Sequence, residues 1–184
     1  IKMAHLYLAS VPDGQSDVLY AGAGHVTAFS WSPRGDEIAF DEQPSPKVPD
    51  IFHSVVRVIA LASKQVRDLA ADNQFAYGGP RWSPDGRFIV YEGAPQSDWW
   101  ANSYLYLSPA AGGTAQKLSR DFDEEIGQFE WSDDSGSVYF TGAQGVDQYV
   151  LRVTLDGKIS VVDNRPGAAR QISIKYATLS GHVL

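Results

Sequence analysis

The sequence predicts an all-β protein, an arc of four-stranded antiparallel sheets arranged as the blades of a β-propeller. Three observations lead to this fold. A similar ten-residue unit occurs three times, beginning at Trp31, Trp82 and Trp131, with spacings of 51 and 49 residues. Each copy passes through a tight turn into a short apolar strand, and a second alternating hairpin follows it. Four short strands in a period of about fifty residues are typical of a propeller blade.

The turn within each unit has a physical reason. In Ser83-Pro84-Asp85-Gly86 the proline presets φ at the second position, and the glycine supplies the positive φ that returns the chain to an antiparallel strand. Gly35 takes this place in the first unit. In the third unit the glycine, Gly136, falls one residue later. We therefore expect Gly35, Gly86 and Gly136 to be structural residues of the repeat.

The elements then follow in chain order. The second hairpins turn at Ser63-Lys64, Gly112-Gly113 and Asp156-Gly157. The predicted units are a half blade at 1–24, blades at 25–70, 74–119 and 125–163, and a half blade at 170–184, where Tyr176 takes the tryptophan place. Propellers usually close with about four to eight blades. We therefore predict an arc of a larger ring, and the alternative is that the two half blades pair into a fourth blade.

An arc leaves sheet edges and apolar blade faces open, which predicts association with a further segment or with another copy of the chain. The three equivalent tryptophans are expected to pack between blades rather than to stack on a ligand, because large aromatic side chains dominate core burial.

Composition limits the function classes. The chain has 184 residues, a net charge of −7 and no cysteine. An acidic chain of this kind does not favour nucleic-acid binding, and its apolar runs are much shorter than the roughly 20 residues of a membrane helix. Disulfides and thiolate metal sites are excluded, and no spacing predicts a metal or another cofactor. The expected chain is soluble, and a bacterial-type cytoplasm and a periplasm both stay open as its compartment.

Three stretches now point to a family: "FSWSPRGDEIAF", "PRWSPDGRFIVYEG" and "FEWSDDSGSVYFTG". They resemble the WD40-like repeat of TolB-type propellers and of the N-terminal propeller of prolyl oligopeptidase family serine peptidases, which include dipeptidyl-peptidase IV and acylaminoacyl-peptidase relatives. The region from Leu118-Ser119 through Trp131 to Leu155-Asp156-Gly157 is similar to the bacterial acylaminoacyl-peptidase type. Thr154 departs from that pattern, which has an acidic residue there.

The resemblance implies a supporting role. The full enzymes carry an α/β-hydrolase domain with a Gly-x-Ser-x-Gly elbow, and this sequence contains no such motif. We therefore expect no catalytic residue in this segment. Its partners would be a peptide substrate or a hydrolase domain of the parent protein, and its role would be to gate or position peptides. The alternative is a TolB-like interaction propeller without enzyme activity.

Two places are candidates for substrate binding. In dipeptidyl-peptidase relatives a glutamate pair of the propeller holds the amino group of the substrate, and Glu124 and Glu125 are placed before the first strand of a blade. An exposed acidic loop is the alternative. Trp99 and Trp100 are adjacent on an insertion, where they would contact a domain or substrate, or pack over their own blade.

Overall fold

The computed structural model describes residues 2–163 apart from Pro12, Asn73, Ser97, Trp99, Gly145 and Val146. The predicted half blade at 170–184, with Tyr176, lies outside the described residues. The all-β prediction is confirmed. Along the described chain the elements are β1 Leu6–Ala9, β2 Ser16–Tyr20, β3 His25–Trp31, β4 Glu37–Gln43, the 3₁₀ helix η1 Val48–His53, β5 Val55–Ala60, β6 Val66–Ala70, β7 Phe75–Trp82, β8 Phe88–Pro95, β9 Tyr104–Pro109, β10 Gln116–Lys117, β11 Ile126–Trp131, β12 Ser137–Gln144, β13 Asp147–Thr154 and β14 Ile159–Asp163.

The strands form three four-stranded antiparallel sheets and one two-stranded hairpin. We call β3–β6 blade 1, β7–β10 blade 2 and β11–β14 blade 3, in each of which the strands pair in chain order. The pair β1–β2 is called the N-terminal hairpin. β7 lies against both β3 and β11. The first strands of the three blades therefore converge on the inner side of the arc.

Irregularities in strand pairing recur at equivalent places. The pairing of first and second strands shifts at Val26/Phe29, Gly78/Arg81 and Ile126/Phe129. The pairing register of the N-terminal hairpin shifts at Leu6/Tyr7. The register between the third and fourth strands of blade 1 shifts in the same way at Val56/Arg57. A bulge at the same site indicates the same local geometry. In this irregularity the N-terminal hairpin matches the pair β5–β6 of blade 1.

The core consists of three apolar clusters, and each lies between two successive sheets. The members of the first come from the N-terminal hairpin and blade 1, among them Leu6, Leu19, Ile38 and Phe40. Those of the second come from blades 1 and 2, among them Val56, Val58, Trp82 and Tyr91. Those of the third come from blades 2 and 3, among them Leu105, Leu107, Trp131 and Phe140. The sheets therefore pack face to face, as propeller blades do.

The three repeat tryptophans do not share one environment. Trp82 and Trp131 are buried, with 9% and 2% of their surface exposed, but Trp31 is 44% exposed. The indole nitrogen of Trp131 donates to the carbonyl of Arg81, on the first strand of the preceding blade, at 3.0 Å. Before blade 1 the structure describes only the two-stranded N-terminal hairpin. Trp31 is therefore only partly covered within the described residues, which include no first strand of a preceding blade.

The turn residues need one correction. Gly35 and Gly86 have the expected positive φ, 71° and 73°. In the third unit the left-handed residue is Ser135, with φ 58°, and not Gly136. A backbone hydrogen bond of 2.9 Å closes each turn. The amide nitrogen of the left-handed residue, Gly35, Gly86 or Ser135, donates to the carbonyl oxygen of the first serine of its unit. Position in the turn, rather than residue type, therefore sets the conformation.

Because the strands of each blade are antiparallel, their connections lie at two opposite ends of the sheets. One end carries the β3–β4, β7–β8 and β11–β12 turns, and we call it the turn face. The other end carries the β4–β5 and β8–β9 insertions together with the β6–β7 and β10–β11 connections, and we call it the loop face. Of the predicted binding residues, Trp100, Glu124 and Glu125 belong to the loop face.

Candidate functional site

Two insertions on the loop face touch each other. The β4–β5 connection, residues 44–54, contains η1, and the β8–β9 connection covers residues 96–103. Nδ1 of His53 lies 3.2 Å from Oε1 of Gln96. The amide nitrogen of Tyr77, on β7, donates to the carbonyl oxygen of Ser54 at 2.9 Å. The insertions therefore form a continuous rim across blades 1 and 2.

The same rim extends to the acidic segment before blade 3. The side-chain amide of Asn102 donates to the carbonyl oxygen of Asp123 at 2.9 Å. This bond joins the insertion that carries Trp100 to the segment that carries Glu124 and Glu125. The two places that the sequence singled out separately are therefore neighbours in the fold.

The predicted site residues are mostly open to solvent. Trp100 is 93% exposed, and its amide nitrogen donates to Oδ1 of Asp98 at 3.0 Å. Glu124 and Glu125 are exposed as well. Trp99 lies outside the described residues. The Trp100 indole is therefore almost entirely open to solvent. It lies in the connection that Asn102 joins to the acidic segment.

Glu92 is a carboxylate of this region that sequence reasoning missed. It follows Tyr91 on β8 and is half-buried. Burial raises the pKa of Glu92, a hydrogen bond with Ser103 lowers it, and the charge of Glu125 raises it. Glu92 and Glu125 are therefore close enough to repel each other. A cation held between them would favour the ionised form of both.

A weak signal for Glu92 was present in the repeats. The residue after the second-strand aromatic is polar in every blade: Asp41, Glu92 and Thr141. Asp41 is buried and serves the scaffold. Its carboxylate accepts the amide hydrogens of Thr27 and Ala28 in its own blade, at 3.1 and 2.7 Å, and of Gly79 in blade 2 at 2.8 Å.

The difference between Asp41 and Glu92 follows from their partners. Asp41 is satisfied by three amide hydrogens, so its charge is compensated inside the fold. Glu92 has one hydroxyl partner, Ser103, and a like charge nearby. Its carboxylate is therefore the better candidate to bind a cationic group from outside.

A small cavity lies beside the acidic segment. It has a volume of about 90 Å³ and is lined by Glu125, Gly127, Thr141, Gly142, Ala143 and Gln148. This volume admits a single amino or methyl group rather than a whole ligand. Within the described part of the chain, no group of three or more His, Asp or Glu side chains is arranged to hold a metal ion.

Comparison with known proteins agrees with this geometry. No protein-family model matches the sequence. The chain is 24% identical over 135 residues to dipeptidyl-peptidase 5 of Porphyromonas gingivalis, a match that covers 71% of this chain and 20% of that protein. The β-propeller domain of the trilobed protease from Pyrococcus furiosus superposes with a TM-score of 0.57 and 14% identity, over 78% of this chain and 43% of that one. The chain has the β-propeller fold.

TolB from Acinetobacter baumannii is similar too, with a TM-score of 0.63 and 17% identity, over 85% of this chain and 37% of that one. The resemblance to both peptidase and TolB propellers is therefore confirmed. The chain spans about a fifth of the length of the curated relative. None of the helices in the part of the chain that the structure describes has the length and apolar character needed to span a bilayer.

Proposed function

We propose that this chain is the β-propeller portion of a serine peptidase of the prolyl oligopeptidase family. Its loop face positions peptide substrates for a hydrolase domain outside this sequence. The similarity to dipeptidyl-peptidase 5 supports the family, although the match covers 20% of that protein.

One observation carries the role of the loop face. The hydrogen bond from Asn102 to the Asp123 carbonyl joins the connection that carries the exposed Trp100 to the acidic segment. An aromatic surface beside carboxylates suits the amino end of a peptide, because the ammonium group pairs with a carboxylate and an apolar side chain rests on the indole.

The carboxylates have distinct tasks in this proposal. Glu125 is exposed and receives the ammonium group of the peptide first. Glu92 lies deeper, and burial and the charge of Glu125 raise its pKa. A cation bound beside both carboxylates would offset these effects and favour the ionised form of Glu92. The cavity beside Glu125 gives room for the small groups around the peptide nitrogen.

Kinetics of the parent enzyme test this function. Glu125→Gln and Trp100→Ala should raise KM for substrates with a free amino terminus and leave kcat within about twofold, because these residues bind the substrate away from the bond that breaks. Asp17→Asn is the matched control, since Asp17 is exposed on β2, away from the loop face. Equal KM values for all three variants and the unmodified enzyme would refute the proposal.

The isolated 184-residue chain provides a second test. It should not hydrolyse aminoacyl or peptidyl chromogenic substrates, because it carries no nucleophile elbow. Turnover that a serine-directed inhibitor abolishes would contradict this part of the proposal.

An interaction propeller of the TolB type is the second candidate, and the open edge of the arc favours it. Among the described strands β1 pairs only with β2. Beside β1, a cavity of about 410 Å³ is lined by apolar side chains that include Tyr7, Phe29 and Trp31. An unpaired edge with exposed aromatics suits strand addition by a partner segment or a second copy. Analytical ultracentrifugation of the pure chain distinguishes a second copy from a partner segment. If a second copy binds at this edge, the measured mass rises with protein concentration, and if only a different partner binds there, it stays constant.

A further inference from the structure

The turn face has a cavity of its own, at the junction of blades 1 and 2. Its volume is about 460 Å³, within the range of small-molecule sites. The walls come from both blades and include Arg34, Glu37, Arg67, Trp82 and Gly86. This cavity lies at the opposite end of the blades from the rim that carries Trp100 and Glu125.

Comparison of the two blade junctions explains why the cavity is open. Between blades 2 and 3 the amide nitrogen of Asp85 donates to Oγ of Ser135 at 3.0 Å, which ties the two turns together. Between blades 1 and 2 the equivalent residues are Arg34 and Gly86. Glycine has no side-chain hydroxyl to accept the Arg34 amide hydrogen, so the hydrogen bond that joins the turns at the next junction is missing here.

The groups left without a partner around this cavity are donors. The indole nitrogen of Trp82 is buried and has no hydrogen-bond partner among the described residues, whereas that of Trp131 donates to the Arg81 carbonyl at 3.0 Å. The guanidinium of Arg34 is exposed and forms no ion pair within the described part of the chain. A buried donor without an acceptor is unfavourable, so a ligand that accepts its hydrogen is stabilised.

The acidic groups around the cavity are already engaged. Glu37 accepts from Arg67 at 3.0 and 3.2 Å. Asp85 accepts from Nε of Arg87 at 2.7 Å. Asp36 accepts from the hydroxyl of Ser32 at 2.8 Å. The groups of the cavity that remain uncommitted are therefore donors, and the guanidinium of Arg34 is the cation among them. A ligand that accepts hydrogen bonds and carries a negative charge beside Arg34 would complement them.

We propose that this cavity binds the carboxylate group of a small ligand. The guanidinium and the amide hydrogen of Arg34 hold the carboxylate by charge-assisted hydrogen bonds, and the indole hydrogen of Trp82 supplies a further donor. The indole face and the side chain of Ala110 provide the apolar wall for the rest of the ligand. The proposal does not depend on the function proposed for the loop face.

Nuclear magnetic resonance of the ¹⁵N-labelled 184-residue chain tests this site, with Trp82→Phe used to assign the Trp82 indole signal. N-acetylphenylalanine presents a C-terminal carboxylate, and N-acetylaspartic acid amide presents a side-chain carboxylate. Both acids should shift the Trp82 signal in a saturable way, and the tighter of the two identifies the natural source. N-acetylphenylalaninamide, which lacks the charge, should not. An equal shift with the amide, or no shift with either acid, overturns the proposal.

Two variants complete the test. Arg34→Gln should weaken the binding of both acids by about tenfold or more, the size expected when a charge-assisted hydrogen bond is lost. Gly86→Ser should abolish binding, because its hydroxyl accepts the Arg34 amide hydrogen and closes the cavity, as Ser135 does at the next junction. Ser135 has φ 58°, so a serine is tolerated at this turn position. Gly86→Ala is the matched control and should retain binding, and a Gly86→Ser variant that binds as the unmodified chain does would refute the account.

Discussion

Truncation of two equivalent tryptophans distinguishes burial between blades from exposure at the edge of the arc. At about 25 cal/mol per Å² and about 250 Å² for an indole side chain, complete burial stabilises by at most about 6 kcal/mol. Trp131 is 2% exposed and Trp31 is 44% exposed, so on the same scale Trp31 contributes only about 3.5 kcal/mol. Trp131→Ala should therefore destabilise the chain by roughly 2.5 kcal/mol more than Trp31→Ala does.

Urea unfolding, followed by circular dichroism, measures this difference. With a slope of about 2 kcal/mol/M, the two midpoints should differ by about 1 M. The pair Trp131→Phe and Trp31→Phe repeats the comparison with smaller losses, in case an alanine variant does not fold. A second copy of the chain could cover Trp31, so the comparison is repeated at low protein concentration. Equal destabilisation at both positions under those conditions would refute the reasoning.

Three further predictions concern single side chains. Burial raises the folded-state pKa of Glu92. The contribution of Glu92 to stability is therefore present at low pH and is lost as the pH rises through that pKa. Glu92→Gln should raise the melting temperature at neutral pH and leave it unchanged in acid. Gly142→Ala should destabilise by about 1–3 kcal/mol in urea, because a Cβ there would collide with Phe122 and would lie 2.9 Å from Leu151. Lys64→Asn should stabilise by up to about 1 kcal/mol in thermal unfolding, because Lys64 has φ 55° and asparagine adopts the left-handed region at less cost.

Each of these predictions has a clear failure. A Glu92→Gln variant with the same pH dependence as the unmodified chain would mean that Glu92 is not buried as described. An unchanged midpoint for Gly142→Ala would show that the side chains around Gly142 move freely. A Lys64→Asn variant that is less stable would show that the lysine side chain contributes more than its backbone conformation costs.

The sequence predicted the scaffold well, because a repeated pattern specifies repeated structure. The alternation of apolar residues and the turn residues recur in every unit, so strands and turns could be placed without tertiary information. The positive φ at Ser135 was missed, because the nearby Gly136 is the residue that usually adopts it.

The candidate site was less predictable, because it depends on contacts between units. Trp100 and Glu125 were singled out on separate connections, and only the bond from Asn102 to Asp123 brings the two connections together. Glu92 resembles Asp41 in sequence position, and its different role comes from its neighbours Ser103 and Glu125. The exposure of Trp31 likewise depends on which strand lies in front of it.

Binding of a short peptide to the isolated chain tests the proposed role of the loop face most directly. The ¹⁵N-labelled chain would be titrated with a tripeptide amide that has a free amino terminus and with its N-acetylated form, so that neither peptide presents a carboxylate to the turn face. The account predicts signal shifts at 96–103 and 121–125 with the free peptide, weaker shifts with the Glu125→Gln chain, and none with the acetylated peptide. Identical shifts with both peptides, or shifts confined to the turn face, would contradict it.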